Sequence, residues 1–109
     1  MARAWGRKLS NEVTDLADSV SAIVNNRTKH RYELAVDGHV AASYYTLAGP
    51  VITFVHTEVP PELGGKGIGS KLIRGALDQV RSEGLKVVAQ CPFVKGFIDK
   101  NPGYADLLE

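Results

Sequence analysis

A mixed α/β sheet, built as an antiparallel meander followed by a β-α-β unit and short C-terminal helices, is the fold class this sequence predicts. Three observations carry it. Asp37-Gly38 joins two strand-like runs and is a strong short-range hairpin signal. A glycine-rich loop, Gly64-Gly65-Lys66-Gly67-Ile68-Gly69, separates an apolar run over 51–59 from a segment of helical periodicity that stops at Gly84. A further strand-like run at 85–90 follows that helix, so it must lie parallel to the 51–59 strand.

Taken in order, residues 1–9 carry no periodicity. From Ser10, a plausible N-cap, Val13, Leu16, Val20 and Ile23 recur at spacings of three and four residues, which predicts an amphipathic helix leading into a strand near 21–25. An edge strand already beginning at Val20 is the competing reading. The domain division is therefore an N-terminal arm over 1–20 and one folded domain over 21–109. Runs 32–36 and 39–47 flank the Asp37-Gly38 turn, and Ala48-Gly49-Pro50 turns the chain into the 51–59 strand. That strand is apolar on both faces, which predicts a central position. Pro60-Pro61 remove two backbone donors and end it.

Ile68, Leu72, Ile73, Ala76, Leu77 and Val80 form one helical stripe, with Lys71, Arg74, Asp78 and Arg81 opposite. Gly75 within it costs about 1 kcal/mol relative to alanine, which predicts close packing at that point. Pro92 opens a last helix, with Phe93, Val94, Phe97 and Ile98 inward, that stops before Pro102.

The 109 residues are 44% apolar and 23% charged, as in an ordinary globular domain. A net charge of +1 gives no case for nucleic-acid or membrane-surface partners. One cysteine excludes an intramolecular disulfide and a cysteine-rich zinc site, and no metal is expected. No run approaches the length of a membrane span, and a cytoplasmic location is the expectation.

The glycine loop holds the chemistry. Bare amides at the mouth of a helix, reinforced by its dipole, suit the phosphates of a cofactor. A Walker A loop is excluded because Ser70-Lys71 reverses the required Lys-Ser/Thr order. A dinucleotide fingerprint started at Gly65 meets Ser70 at its third glycine, and started at Gly67 meets Leu72. Gly64-x-x-Gly67-x-Gly69 instead resembles the acyl-CoA loop R/Q-x-x-G-x-G/A of the GNAT acetyltransferase superfamily, with Gly64 in place of Arg or Gln. That departure removes a side chain but no backbone donor.

The resemblance extends to a subgroup of very small, single-domain GNAT-like proteins. It is carried by His56-Thr57-Glu58-Val59-Pro60, by Cys91-Pro92-Phe93-Val94, and by a tail with Pro102-x-Tyr104 and Leu107-Leu108, in order over roughly residues 21–109. It implies a GNAT-like sheet and acetyl-CoA as acyl donor. The pantetheine arm would lie along the backbone of Thr57, Glu58 and Val59. The diphosphate would lie on Gly64, Gly65, Lys66, Gly67, Ile68, Gly69 and Ser70.

The expected reaction is N-acetyl transfer to an amine, either by direct attack or through an acyl-enzyme on Cys91. An imidazole suits the general base, so His56 is the candidate, with Glu58 on the same strand face as its competitor. Cys91 precedes a proline-led helix whose start stabilises negative charge by about 0.3–1 kcal/mol, a modest activation. A small buried hydrophobe is the plainer role for it. Tyr104 could protonate the departing thiolate, as tyrosines do in the family, or simply cap the core. Larger relatives insert two helices after their first strand to build an acceptor lid, and the stretch 25–31 leaves no room for them. An open site for a protein amine, lysine or polyamine is expected. The alternative is a non-catalytic acyl-CoA-binding module.

Overall fold

The computed structural model describes residues 23–109; the N-terminal arm and its predicted helix lie outside them, apart from Ile23. Five strands form one sheet in the order β1-β2-β3-β4-β5. They are β1 (Val24–Asn26), β2 (Arg31–Val36), β3 (His39–Ala48), β4 (Val51–Glu58) and β5 (Lys86–Ala89). The first four make an antiparallel meander, and β5 runs parallel to β4. Helix α1 (Ile68–Ser82) makes the crossover, and α2 (Pro92–Lys100) follows β5. Residues Pro102–Leu107 close the domain as a 3₁₀ turn.

Local chemistry fixes the turns. Asp37 and Gly38 both have positive φ, 51° and 80°, the conformation a two-residue hairpin of matching twist requires. Residues 27–30 join β1 directly to β2, so the described chain has no helical lid between its first two strands. The sequence suggested a strand near 21–25; the first strand starts at Val24 and is three residues long, and Ile23 before it packs against α1 at Gly75.

The core lies between one sheet face and the two helices. All six stripe residues of α1 are buried, and they meet Leu34, Ala41, Tyr45, Ile52, Phe54 and Val87 from the sheet with Val94, Phe97 and Ile98 from α2. β4 is internal, as its apolar character predicts. It is covered on one face alone among the described residues, however: Ile52 and Phe54 are buried, whereas Val55 is 39% exposed.

Gly75 explains itself on the same terms. A Cβ there would stand 2.3 Å from Cγ1 and 3.0 Å from Cβ of the buried Ile23. The Ile23 carbonyl also accepts a hydrogen bond from Gln79 Nε2 at 2.8 Å. The glycine thus docks the segment before β1 onto α1, rather than the helix onto the sheet. Gly75→Ala gains about 1 kcal/mol of helix propensity but overpacks this contact at a cost of about 1–3 kcal/mol. A net loss of stability is the expected result, read as a lower urea midpoint at unchanged slope. A raised midpoint would mean Ile23 does not hold this position.

Candidate active site

The site begins where β4 and β5 part. Their ladder runs from Val51↔Lys86 to Phe54↔Ala89, and one further bond, Cys91 N–H to the Phe54 carbonyl at 2.8 Å, closes the fork. Beyond it the chain turns away into α2, which Pro92 starts and Cys91 precedes as N-cap. β4 continues to Glu58 paired only with β3. Backbone groups of 55–58 on the β5 side therefore lack a strand partner among the described residues, and an extended ligand could supply one.

A bulge reorients this segment. Tyr45 pairs with Phe54 and Tyr44 with His56, so Val55 is the extra residue. Without it, strict alternation would place His56 on the core face with Phe54. With it, Thr57 turns toward the helices beside Ser43, its partner on β3, while His56 and Glu58 turn to the open face beside Tyr44 and Ala42.

On the core side Ser43 Oγ lies 3.0 Å from Thr57 Oγ1, which lies 3.3 Å from Cys91 Sγ. Ser43 and Cys91 are buried and Thr57 is half-buried. On the open side His56 Nε2 is 3.1 Å from Glu58 Oε2, both side chains being more than half exposed. The His56 ring stacks on Tyr44, centroids 6.1 Å apart. Tyr44 is held in turn by Arg31, which donates to its hydroxyl at 2.7 Å and lies over its ring. Arg31 pairs with Glu33, whose carboxyl it keeps below the usual glutamate range. Arg31, Tyr44 and His56 are direct partners across three strands, so one row of side chains carries His56.

The glycine loop follows. Pro61–Leu63 forms one 3₁₀ turn anchored by buried Leu63. Gly65 and Gly67 take positive φ, 77° and 71°, and a Cβ on either would meet nothing within 4 Å. Gly67 caps α1 without a side-chain bond, and the first turn holds no acidic residue. The amides of Ile68, Gly69 and Ser70 consequently face outward unpaired by the helix. Ile68 itself is buried and offers only backbone. Gly64 is extended, so its lack of a side chain is not a backbone requirement. Lys66 reaches Asp37 at 3.9 Å, an exposed pair of little energetic weight. Gly69 admits the Phe93 ring, 2.6 Å from where its Cβ would stand. Ser70, Phe93, Lys100 and Asn101 help line a groove of about 300 Å³ between α1 and α2. Thr57, Glu58 and Val59 line an open cleft of about 460 Å³ with Val40, Pro60 and Pro61. Free amides, a first helical turn without an acidic residue and open space fit a diphosphate, and the β4 edge, unpaired among the described residues, fits an amide-bearing arm.

The structure thus brings Thr57 and Cys91 together at the fork. It sets His56 with Glu58 on the opposite sheet face from Cys91. Tyr104 belongs to neither group. Its hydroxyl donates to Asp78 at 2.8 Å, its ring packs on Phe97, and burial followed by the Asp78 bond pushes its ionisation up. This is the core-capping role. Ser43 and the Arg31–Tyr44 pair escaped sequence reasoning. Ser43 carried a signal, a lone polar residue in register with the core-facing Ala41 and Tyr45.

A mixed sheet forked between two parallel strands, with a glycine loop feeding the crossover helix, is a GNAT-like fold. A family model described as GCN5-related N-acetyl-transferase matches residues 31–107, and the chain belongs to that family. Protein NATD1 of Xenopus tropicalis is 26% identical over 99 residues, covering 86% of this chain and 91% of the relative. Protein NATD1 of Mus musculus is 26% identical over 83 residues, covering 73% and 76%. A GCN5-like protein from Staphylococcus aureus, solved in solution by NMR, superposes with a TM-score of 0.63 at 28% identity, covering 82% of this chain and 90% of the other.

Proposed function

We propose that this protein transfers an acetyl group from acetyl-CoA to an amine presented on the open face of the sheet. The observation that carries the reading is the β4 edge past Phe54, unpaired on the β5 side among the described residues, which leads to the amides at the start of α1. Acetyl-CoA would supply the thioester carbonyl that the amine attacks. Amides of Ile68, Gly69 and Ser70 hold the diphosphate, and the backbone of residues 57–59 aligns the arm. Glu58 accepts the Nε2 proton of His56 and so leaves Nδ1 free to take the proton of the incoming amine. Among the described residues the short turn at 27–30 leaves that face open, which suits a lysine, a chain end or a polyamine.

Direct attack is favoured over an acyl-enzyme because Cys91 is only 3% exposed. Release of free thiol from acetyl-CoA across a panel of lysine peptides and polyamines tests the reading. Amine-dependent release is expected in the wild type and in Cys91→Ala, without an acetyl adduct on Cys91 in the quenched protein. Cofactor binding with no thiol release for any amine would make the protein a non-catalytic acyl-CoA-binding module instead.

A further inference from the structure

The geometry points to Thr57 as the hydrogen-bond donor to the cofactor sulfur, its proton freed for that purpose by Ser43 and Cys91; this rests on the acyl-CoA reading above. Three groups, Ser43 O–H, Thr57 O–H and Cys91 S–H, share two contacts, at 3.0 and 3.3 Å, and Thr57 Oγ1 is common to both. Ser43 is wholly buried and Cys91 nearly so. Neither side chain has another hydrogen-bond partner among the described residues. A buried donor left without an acceptor is costly, so the Ser43 proton must point at Thr57. The thiol proton, a weaker donor, has the same single acceptor. Were Thr57 to donate to either, that partner's own proton would be stranded in the core.

The two contacts allow Ser43 and Cys91 both to donate, and in that arrangement Thr57 Oγ1 accepts twice and keeps its own proton for a ligand. It is also the only one of the three that is half-buried rather than buried. The loop that fits the diphosphate follows the C-terminal end of β4, so the thioester end of the arm lies deeper, toward the crotch closed by Cys91 N–H and the Phe54 carbonyl. That is where Thr57 sits. Tyr104, bonded to Asp78, is not available for the task.

The chemistry balances without acid catalysis. As the nitrogen–carbon bond forms and the carbon–sulfur bond breaks, the sulfur keeps the electron pair. Thr57 keeps its proton and hydrogen-bonds the thiolate, which later takes a proton from water. The proton removed from the amine leaves through His56 to solvent.

Calorimetric titration of coenzyme A and of desulfo-CoA into the full chain, as wild type, Thr57→Val and Thr57→Ser, tests this. The wild type should hold coenzyme A about threefold to tenfold more tightly than desulfo-CoA. Thr57→Ser should keep that ratio, and Thr57→Val should bring it to about one. With an amine acceptor, Thr57→Val should lower kcat for thiol release by about tenfold to a hundredfold with little change in KM. Equal wild-type affinity for the two ligands overturns the donor role and leaves the cofactor reading intact. A preference that persists in Thr57→Val also overturns it. Failure of both ligands to bind the wild type overturns the cofactor reading together with this inference. Were Thr57→Val not to fold, the wild-type and Thr57→Ser ratios would still decide.

Discussion

Gly67→Val is expected to weaken acetyl-CoA binding by about tenfold to a hundredfold while leaving the thermal midpoint within a few degrees of wild type. Gly67 sits at φ 71° and ψ 18°, the left-handed region, and caps α1. A Cβ there meets nothing within 4 Å, so a side chain would not clash. The whole penalty is backbone strain, about 1–3 kcal/mol for a residue held in that region and felt most by a β-branched one. The loop can shed the strain by turning away, because its ends are pinned independently: Leu63 is 1% exposed and Ile68 6%. Relaxation therefore spares the core and misdirects the amides that a diphosphate needs. Gly67→Asn, whose side chain tolerates this conformation, should lose much less affinity. Calorimetric affinities beside thermal melts of the three proteins check the result. Unchanged affinity in Gly67→Val would show that the loop amides do not hold the ligand.

How far the sequence reached can be judged residue by residue. Turns and helix limits were legible because single residues dictate them: Asp37-Gly38 adopts the two positive φ values its hairpin needs, Gly84 stops α1 at φ 73°, and Pro92 opens α2. The parallel placement of β5 followed from connectivity alone. The resemblance that lays an acyl arm along Thr57, Glu58 and Val59 implies a free strand edge there, but nothing in residues 86–91 announces that pairing ends at Ala89.

The bulge at Val55 was not legible at all. A bulge is an extra residue in register, visible only against the partner strand, and Val-His-Thr-Glu reads as ordinary alternation. Its effect on the site is large. It moves His56 and Glu58 to the open face and brings Thr57 into contact with Cys91. The choice between the two roles of Tyr104 was open in the sequence for a related reason. Its partner Asp78 lies 26 positions away, on the face of α1 that periodicity marked as solvated. A tertiary contact of that kind leaves no local trace in the chain.

The arrangement on the open face leads to the largest effect expected on turnover. His56→Ala should lower kcat/KM for amine-dependent thiol release by about 10²-fold or more, within the range a positioned general base supplies. Glu58→Gln should cost less, because a neutral amide still reaches the ring nitrogen but stabilises an imidazolium poorly. The double variant should be no slower than His56→Ala alone. The reason is geometric: Glu58 meets His56 Nε2 at 3.1 Å, so its contribution passes through the ring and vanishes with it. Groups that act as one unit are non-additive in this way, whereas independent groups multiply. The pair is more than half exposed, and surface pairs of this kind add little to stability. Lost activity would then report on chemistry rather than folding. Tyr44, stacked on His56 and pinned by Arg31, keeps the ring from turning toward solvent when Glu58 is altered. If Glu58→Gln proved the slower single variant, and the double matched it, the carboxylate would be the base and the histidine its support. If the two losses multiplied, the side chains would act separately, and the coupling read from their contact would be wrong.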